Sequence, residues 1–181
     1  MKRVLIFTLF GVIAAIIAYA LLSAVYAACL TTIYARSNLR VAAVAPVGGF
    51  FKIQGHYAVI ELLIVLENVG DAAVEVEGYS YELYLITRDF MERYKLAEGE
   101  TYLIMNSGGI MIEPGSNRKL YLTSHIDLMQ LSTAAVEPLK NPREFKDAKF
   151  RLILTLKVPI KLFGLRISTY EWSETKDFEL S

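Results

Sequence analysis

Few side chains in this sequence are of types and spacings that do chemistry. There are two histidines, His56 and His125, and they stand far apart. His56 follows Gly55 in a turn, and His125 precedes a helical pattern. Each reads as a capping or packing residue, not as half of a shared metal site. The acidic pairs Glu75/Glu77 and Glu98/Glu100 have the composition of a general acid–base dyad. However, Glu75 and Glu77 alternate along a strand pattern and read as its solvent side. Glu98 and Glu100 flank Gly99 in a stretch that reads as a turn. Ser107-Gly108-Gly109 is glycine-rich, but no strand–loop–helix setting surrounds it, so it does not make a phosphate cradle. No H-x-x-x-H, D-x-D, G-x-S-x-G or P-loop pattern occurs. The expectation is a chain with no catalytic, cofactor-binding or metal-binding residues, and hence not an enzyme.

Tyrosine is the remaining candidate. Tyr79, Tyr81, Tyr84, Tyr102, Tyr121 and Tyr170 all fall in strand patterns, and Trp172 follows. Most are expected in the core or in cross-strand pairs, with a minority left for an exposed partner or lipid patch. Cys29, the single cysteine, sits in an apolar segment, which leaves the remainder of the chain without thiol ligands or disulfides. Lys2 and Arg3 are the only charged residues before Arg36. Behind them stand 17 basic and 19 acidic residues, a balance that argues against nucleic-acid binding.

These residues need elements to position them. Residues 4–35 carry no formal charge over 32 positions, and crossing a bilayer takes about 20 helical residues. The run VLIFTLFGVIAAIIAYALLSAVYA reads as a single-pass transmembrane helix over residues 1–35, with the lipid bilayer as its partner. Three processing alternatives compete with it: a cleaved secretory signal, a lipoprotein site at Ala27-Ala28-Cys29, and a pilin-type leader. The run is too long for the first two, and no acid occurs before Glu61 to suit the third. Bases flank both ends, with Lys2 and Arg3 abutting the helix and Arg36, Arg40 and Lys52 beyond it. The orientation favoured is a cytoplasmic N-terminus and an extracytoplasmic domain.

Residues 36–49 read as a connector, and apolar patches over 41–45 within it and 50–53 after it could each start a sheet. From there to residue 181 the pattern is mostly β. Residues 57–68 alternate with Ala58, Ile60, Leu62, Ile64 and Leu66 on one face, and Asn68-Val69-Gly70-Asp71 supplies a turn. Residues 74–87 change phase at Gly78, which predicts a β-bulge there. Short strands are expected over 94–97, 101–105 and 118–123. The spacing of Leu128, Leu131, Ala135 and Leu139 predicts a helix over 126–139, capped by Ser124 or Asp127 and stopped by Pro138 and Pro142. Residues 150–158 alternate again. Leu162-Phe163-Gly164 returns the chain, and residues 166–173 and 175–180 close it. About seven antiparallel strands with one helix argue a mainly β, two-sheet sandwich.

YAVIELLIVLENVG, VEVEGYSYELYL, IEPGSNRKLYL, a helix and FRLILTLKVPIKLFG with a final hairpin together resemble the late-embryogenesis-abundant group 2, or water-stress and hypersensitive-response (WHy) domain, family. The likeness covers about residues 50–181. It departs at the first turn, where the family often carries Asn-Pro and this chain has Asn68-Val69-Gly70. The resemblance implies an antiparallel sandwich without cofactor or catalytic residues, and a role in stress tolerance or at membranes through bound proteins or lipids. The expected function is a membrane-anchored binding protein. The alternative is a structural or accessory subunit of a cell-surface, secretion or pilus-like assembly, pairing through an exposed sheet edge.

Overall fold

A computed structural model describes residues 2–48, 51–86, 93–103, 109–140 and 149–179. The chain begins with helix α1 (Lys2–Asn38), followed at once by strand β1 (Leu39–Pro46). The stretch read as a connector is therefore helix end and strand. β1 pairs antiparallel with β3 (Tyr57–Asn68), whose opening residues also pair with the short β2 (Lys52–Gln54). On its other side β3 pairs with β8 (Asn117–Asp127) along its full length.

The facing sheet has the order β10 (Leu165–Glu179), β9 (Lys149–Leu162), β5 (Gly78–Ile86), β6 (Arg93–Tyr102), all antiparallel. A small ladder of β4 (Val74–Val76) with β7 (Ile110–Ile112) completes the strands. The molecule is a mainly β, antiparallel sandwich behind a long apolar helix, as the alternation predicts. Ten strands are described where about seven were expected.

The core follows from period two. The even residues of β3 from Ala58 to Leu66 and of β9 from Phe150 to Val158 are all buried. Leu83 and Leu85 of β5 and Leu120, Leu122 and Ile126 of β8 join them. Phe150 links Phe51 to Phe178, each ring centroid 5.6 Å away.

Four local features differ from the sequence expectation. The break at Gly78 is a change of partner rather than a bulge: β4 pairs with β7, β5 with β6 and β9, and Glu77 lies between. Glu98-Gly99-Glu100 is no turn but part of the continuous β6. Gly99 stands opposite Tyr81, and a Cβ there would come within 2.7 Å of the Tyr81 ring, so the glycine makes room for the aromatic. β8 continues to Asp127, since Ile126 keeps the inward phase of Leu122, and His125 is therefore a strand residue. The helix, α2 (Thr133–Lys140), is shorter than its spacing suggests and includes Pro138. Its first N–H groups, on Ala135 and Val136, donate to the Ser132 carbonyl. Pro142 and residues 107 and 108 lie outside the described residues.

Of the described helices, α1 alone is long and apolar enough to cross a membrane, over Leu9–Asn38. Residues 9–22 are exposed along their whole length, unlike a helix from a soluble core.

Candidate functional site

The chemistry-bearing residues are placed as follows. His56 is exposed at the β2–β3 turn with its ring 4.1 Å from Tyr57, and His125 is exposed on β8. Among the described residues, no group of three or more His, Cys, Asp or Glu is placed to hold a metal ion.

The charged strand positions form two ionic systems instead. The first covers the outer face of the β10–β9–β5–β6 sheet. Lys95 donates to Glu82 at 2.7 Å and to Glu98 at 2.5 Å, and the Tyr84 hydroxyl also donates to Glu82. Arg151 makes a two-pronged contact with Asp177 at 2.7 and 2.8 Å. Lys157 donates to Glu100 and lies 4.6 Å from the centre of the Tyr102 ring.

These hydrogen bonds set the ionisation. Donation from Lys95, then from Tyr84, holds Glu82 below the usual carboxylate range. Lys157, then Tyr102, does the same for Glu100, and Arg151 for Asp177. Lys95 and Lys157 are raised in return by their carboxylate partners, and the Glu82 carboxylate raises Tyr84. An open groove of about 410 Å³ runs between Glu82, Glu98, Glu100, Ile153 and Thr155. Its carboxylates already hold cations, so the Glu98/Glu100 pair offers no free base.

The second system lies where α1 meets the sandwich. Glu77, read as a solvent-facing charge, is buried at 4% exposure. Its carboxylate takes the Arg166 guanidinium at 2.8 Å and the Thr169 hydroxyl at 2.9 Å. Neighbouring Glu75 is half-buried and holds Lys161 at 2.5 Å. The alternation that placed both acids outside fails because β4 and β5 belong to different ladders, leaving Glu77 turned under the β9–β10 hairpin. The complementary signal in the sequence was the pair of bases, Lys161 and Arg166, on either side of Leu162-Phe163-Gly164.

Beside this cluster, a cleft of about 250 Å³ opens between α1 (Leu30, Thr31, Tyr34) and Glu75, Met111, Pro159 and Lys161. Ala35 is fully buried in the domain core, and the Val69 N–H donates to the last carbonyl of α1, on Asn38. The end of α1 is thus built into the domain. Asn68, next to that junction, is fully buried. Its side-chain amide donates to the Ala72 and Ile112 carbonyls, and its side-chain oxygen accepts from the Gly70 N–H.

The aromatic residues divide as expected in kind. Tyr79 and Trp172 are buried, and Tyr81 and Tyr170 pack against the core. Tyr102 and Tyr121 are exposed on different sheets. Cys29 is exposed on α1.

No family model and no curated protein matches the sequence. Some solved structures are similar at low identity and with TM-scores below 0.5. A protein from Archaeoglobus fulgidus is similar at 15% identity and a TM-score of 0.39, over 78% of this chain and 98% of that one. The sporulation control protein Spo0M from Bacillus subtilis is similar at 11% identity and a TM-score of 0.44, over 79% of this chain and 49% of its own. An Arabidopsis thaliana protein solved in solution is similar at 11% identity and a TM-score of 0.42, over 80% and 82%. Likenesses this distant carry no function to the chain.

Proposed function

We propose that this protein is a single-pass, membrane-anchored binding protein without enzymatic activity. Its sandwich works at the surface of the bilayer, outside the cytoplasm, and protects that surface under desiccation, osmotic or heat stress. The carrying observation is the junction: an exposed apolar helix runs without a linker into the first strand, and its last turns are packed on the sandwich. Cleavage near Cys29 would strip residues 23–28, which are in part covered by the domain, and this supports retention of the helix. The stress role itself draws on the resemblance to the late-embryogenesis-abundant group 2 family. Deleting the gene and measuring survival after drying, heat and osmotic shock tests it, and unchanged survival would remove the stress role.

A second reading, an accessory subunit of a cell-surface assembly, is favoured by the sheet edges. Among the described residues β8 and β10, of 11 and 15 residues, each pair with one neighbouring strand only. Such edges can take up a partner's strand. Affinity purification of the full chain from native membranes, identifying both proteins and lipids, separates the readings. Stoichiometric co-purifying subunits support the assembly role, and lipid without protein supports the first reading.

A further inference from the structure

The β9–β10 hairpin reaches past the end of β5. β5 begins opposite Lys157, so residues 158–170 continue beyond it as a two-stranded ribbon, with Val158, Pro159 and Ile160 buried at its base and residues 163–167 exposed at its tip. That ribbon runs beside α1, which touches both of its strands. Its depth follows from simple geometry. Glu174 of β10 is level with the start of β1, because its carboxylate accepts the Val41 N–H at 2.6 Å. From Glu174 the strand runs back to Leu165, about 30 Å at the usual rise. α1 ends three residues before Val41, which places the tip roughly 20 Å down the helix, near residue 25. Burial gives the same level independently: residues 9–22 of α1 are exposed, and Ser23, Ala24, Ala27 and Ala28 become half-buried.

That level coincides with a membrane boundary. α1 has 37 residues. About 20 of them cross the hydrocarbon, which, counted from Lys2-Arg3, ends near Ser23. The remaining helix stands above the bilayer with the hairpin against it.

The tip has the composition for that boundary. Phe163 is 79% exposed, Leu165 73% and Ile167 45%. Ile167 is the extra residue of a β-bulge between Arg166 and Ser168, which re-aims its side chain. Phe163 has a φ of +52° and Gly164 of +80°, the left-handed pair that a two-residue hairpin loop requires. That first position favours Asn, Asp or Gly, and an exposed aromatic there is conformationally costly. Behind the tip, Lys161 and Arg166 are matched by Glu75 and Glu77, so the four groups carry no net charge toward the lipid.

We propose that residues 162–167 form a second membrane element, an apolar hairpin tip inserted into the interfacial region of the leaflet on the domain's side. This rests on the reading of α1 as a retained anchor. The occupant of the apolar surface is lipid, because exposed Phe163, Leu165 and Ile167 lie level with the end of the wholly exposed apolar stretch of α1, where the hydrocarbon ends. With helix and hairpin both engaged, the sandwich is held at a fixed attitude to the bilayer and cannot swivel on a single stalk.

The test uses the full chain in phosphatidylcholine–phosphatidylglycerol vesicles, with Cys29→Ser as background. An environment-sensitive fluorophore is placed singly at Leu165→Cys, at Ile167→Cys, at Gly11→Cys in mid-helix, where a side chain meets nothing, and at exposed Met129→Cys. Met129 follows the end of β8 that is remote from the helix junction. Lipids carrying a nitroxide high on the acyl chain should quench the 165 and 167 probes severalfold more than the 129 probe. A nitroxide deep in the chain should quench the 11 probe. If 11 is quenched while 165 and 167 match 129, the hairpin proposal is overturned and the anchor stands; a tip reserved for a protein partner would give this result. If 11, 165 and 167 are all unquenched, the anchor reading and the proposal fall together.

Discussion

Asn68 shows at the residue scale how one side chain determines the junction. Its three hydrogen bonds join the β3 end, the 70–72 turn and β7, with the helix end bonded next door. Asn68→Ala would leave buried amide groups without partners, at about 3 kcal/mol in total. Denaturant unfolding in detergent should register that loss. Ser124 is the opposite case: its buried hydroxyl has no hydrogen-bond partner among the described residues. Ser124→Ala should therefore stabilise the fold by up to about 1 kcal/mol in the same measurement. Removing Arg166 strands the buried Glu77 carboxylate, and Arg166→Ala should cost about 2 kcal/mol, more than Glu77→Gln, which keeps the Thr169 bond. The surface pairs act through pH. Glu82, Glu100 and Asp177 are lowered in the folded protein, so their stabilisation is present above the unfolded carboxylate values, near pH 4, and is lost as pH falls through the lowered ones. Lys95 and Lys157 are raised, so theirs is complete below about pH 10.5 and is lost at higher pH. Thermal melts across pH should show a neutral plateau, with a shallower acid limb in the Lys95→Met, Lys157→Met variant.

Among the elements, the hairpin combines strain with exposure. Asn adopts the left-handed backbone more readily than Phe, so Phe163→Asn should raise folding stability by about 1 kcal/mol. It should also weaken the acyl-chain quenching of a probe at Leu165. A gain in stability without loss of lipid contact would show that the aromatic has no membrane role. The elements also mark how far residue patterns could be read. β3, with its single buried face, and the Leu162-Phe163-Gly164 return were legible because a two-residue period and positive-φ turns are local signals. α2 was overextended because Leu128, Leu131 and Ala135 recur at helical spacing while the chain is still leaving β8, whose inward face continues to Ile126. Glu98-Gly99-Glu100 looked like a turn because the need for Gly99 lies across the sheet, in the ring of Tyr81. Glu77 departs from the strand alternation for a similar reason: its partners, Arg166 and Thr169, are remote in sequence.

For the molecule as a whole, helix and sandwich share buried residues. The boundary between them is not a linker but a common core containing Ala35, Leu39 and Val41. The apolar run was plain in the sequence, whereas its fusion to the domain was not, because residues 36–46 are too short and mixed to distinguish a tether from a strand. On this fusion rests the proposal that the sandwich stays attached to its helix and is held against the bilayer. Alkaline extraction of native membranes, followed by the intact mass of the recovered chain, tests it most directly. The protein should remain in the membrane pellet with residues 2–38 attached. Recovery of the domain in the soluble fraction, shortened to a start near Cys29, would contradict it.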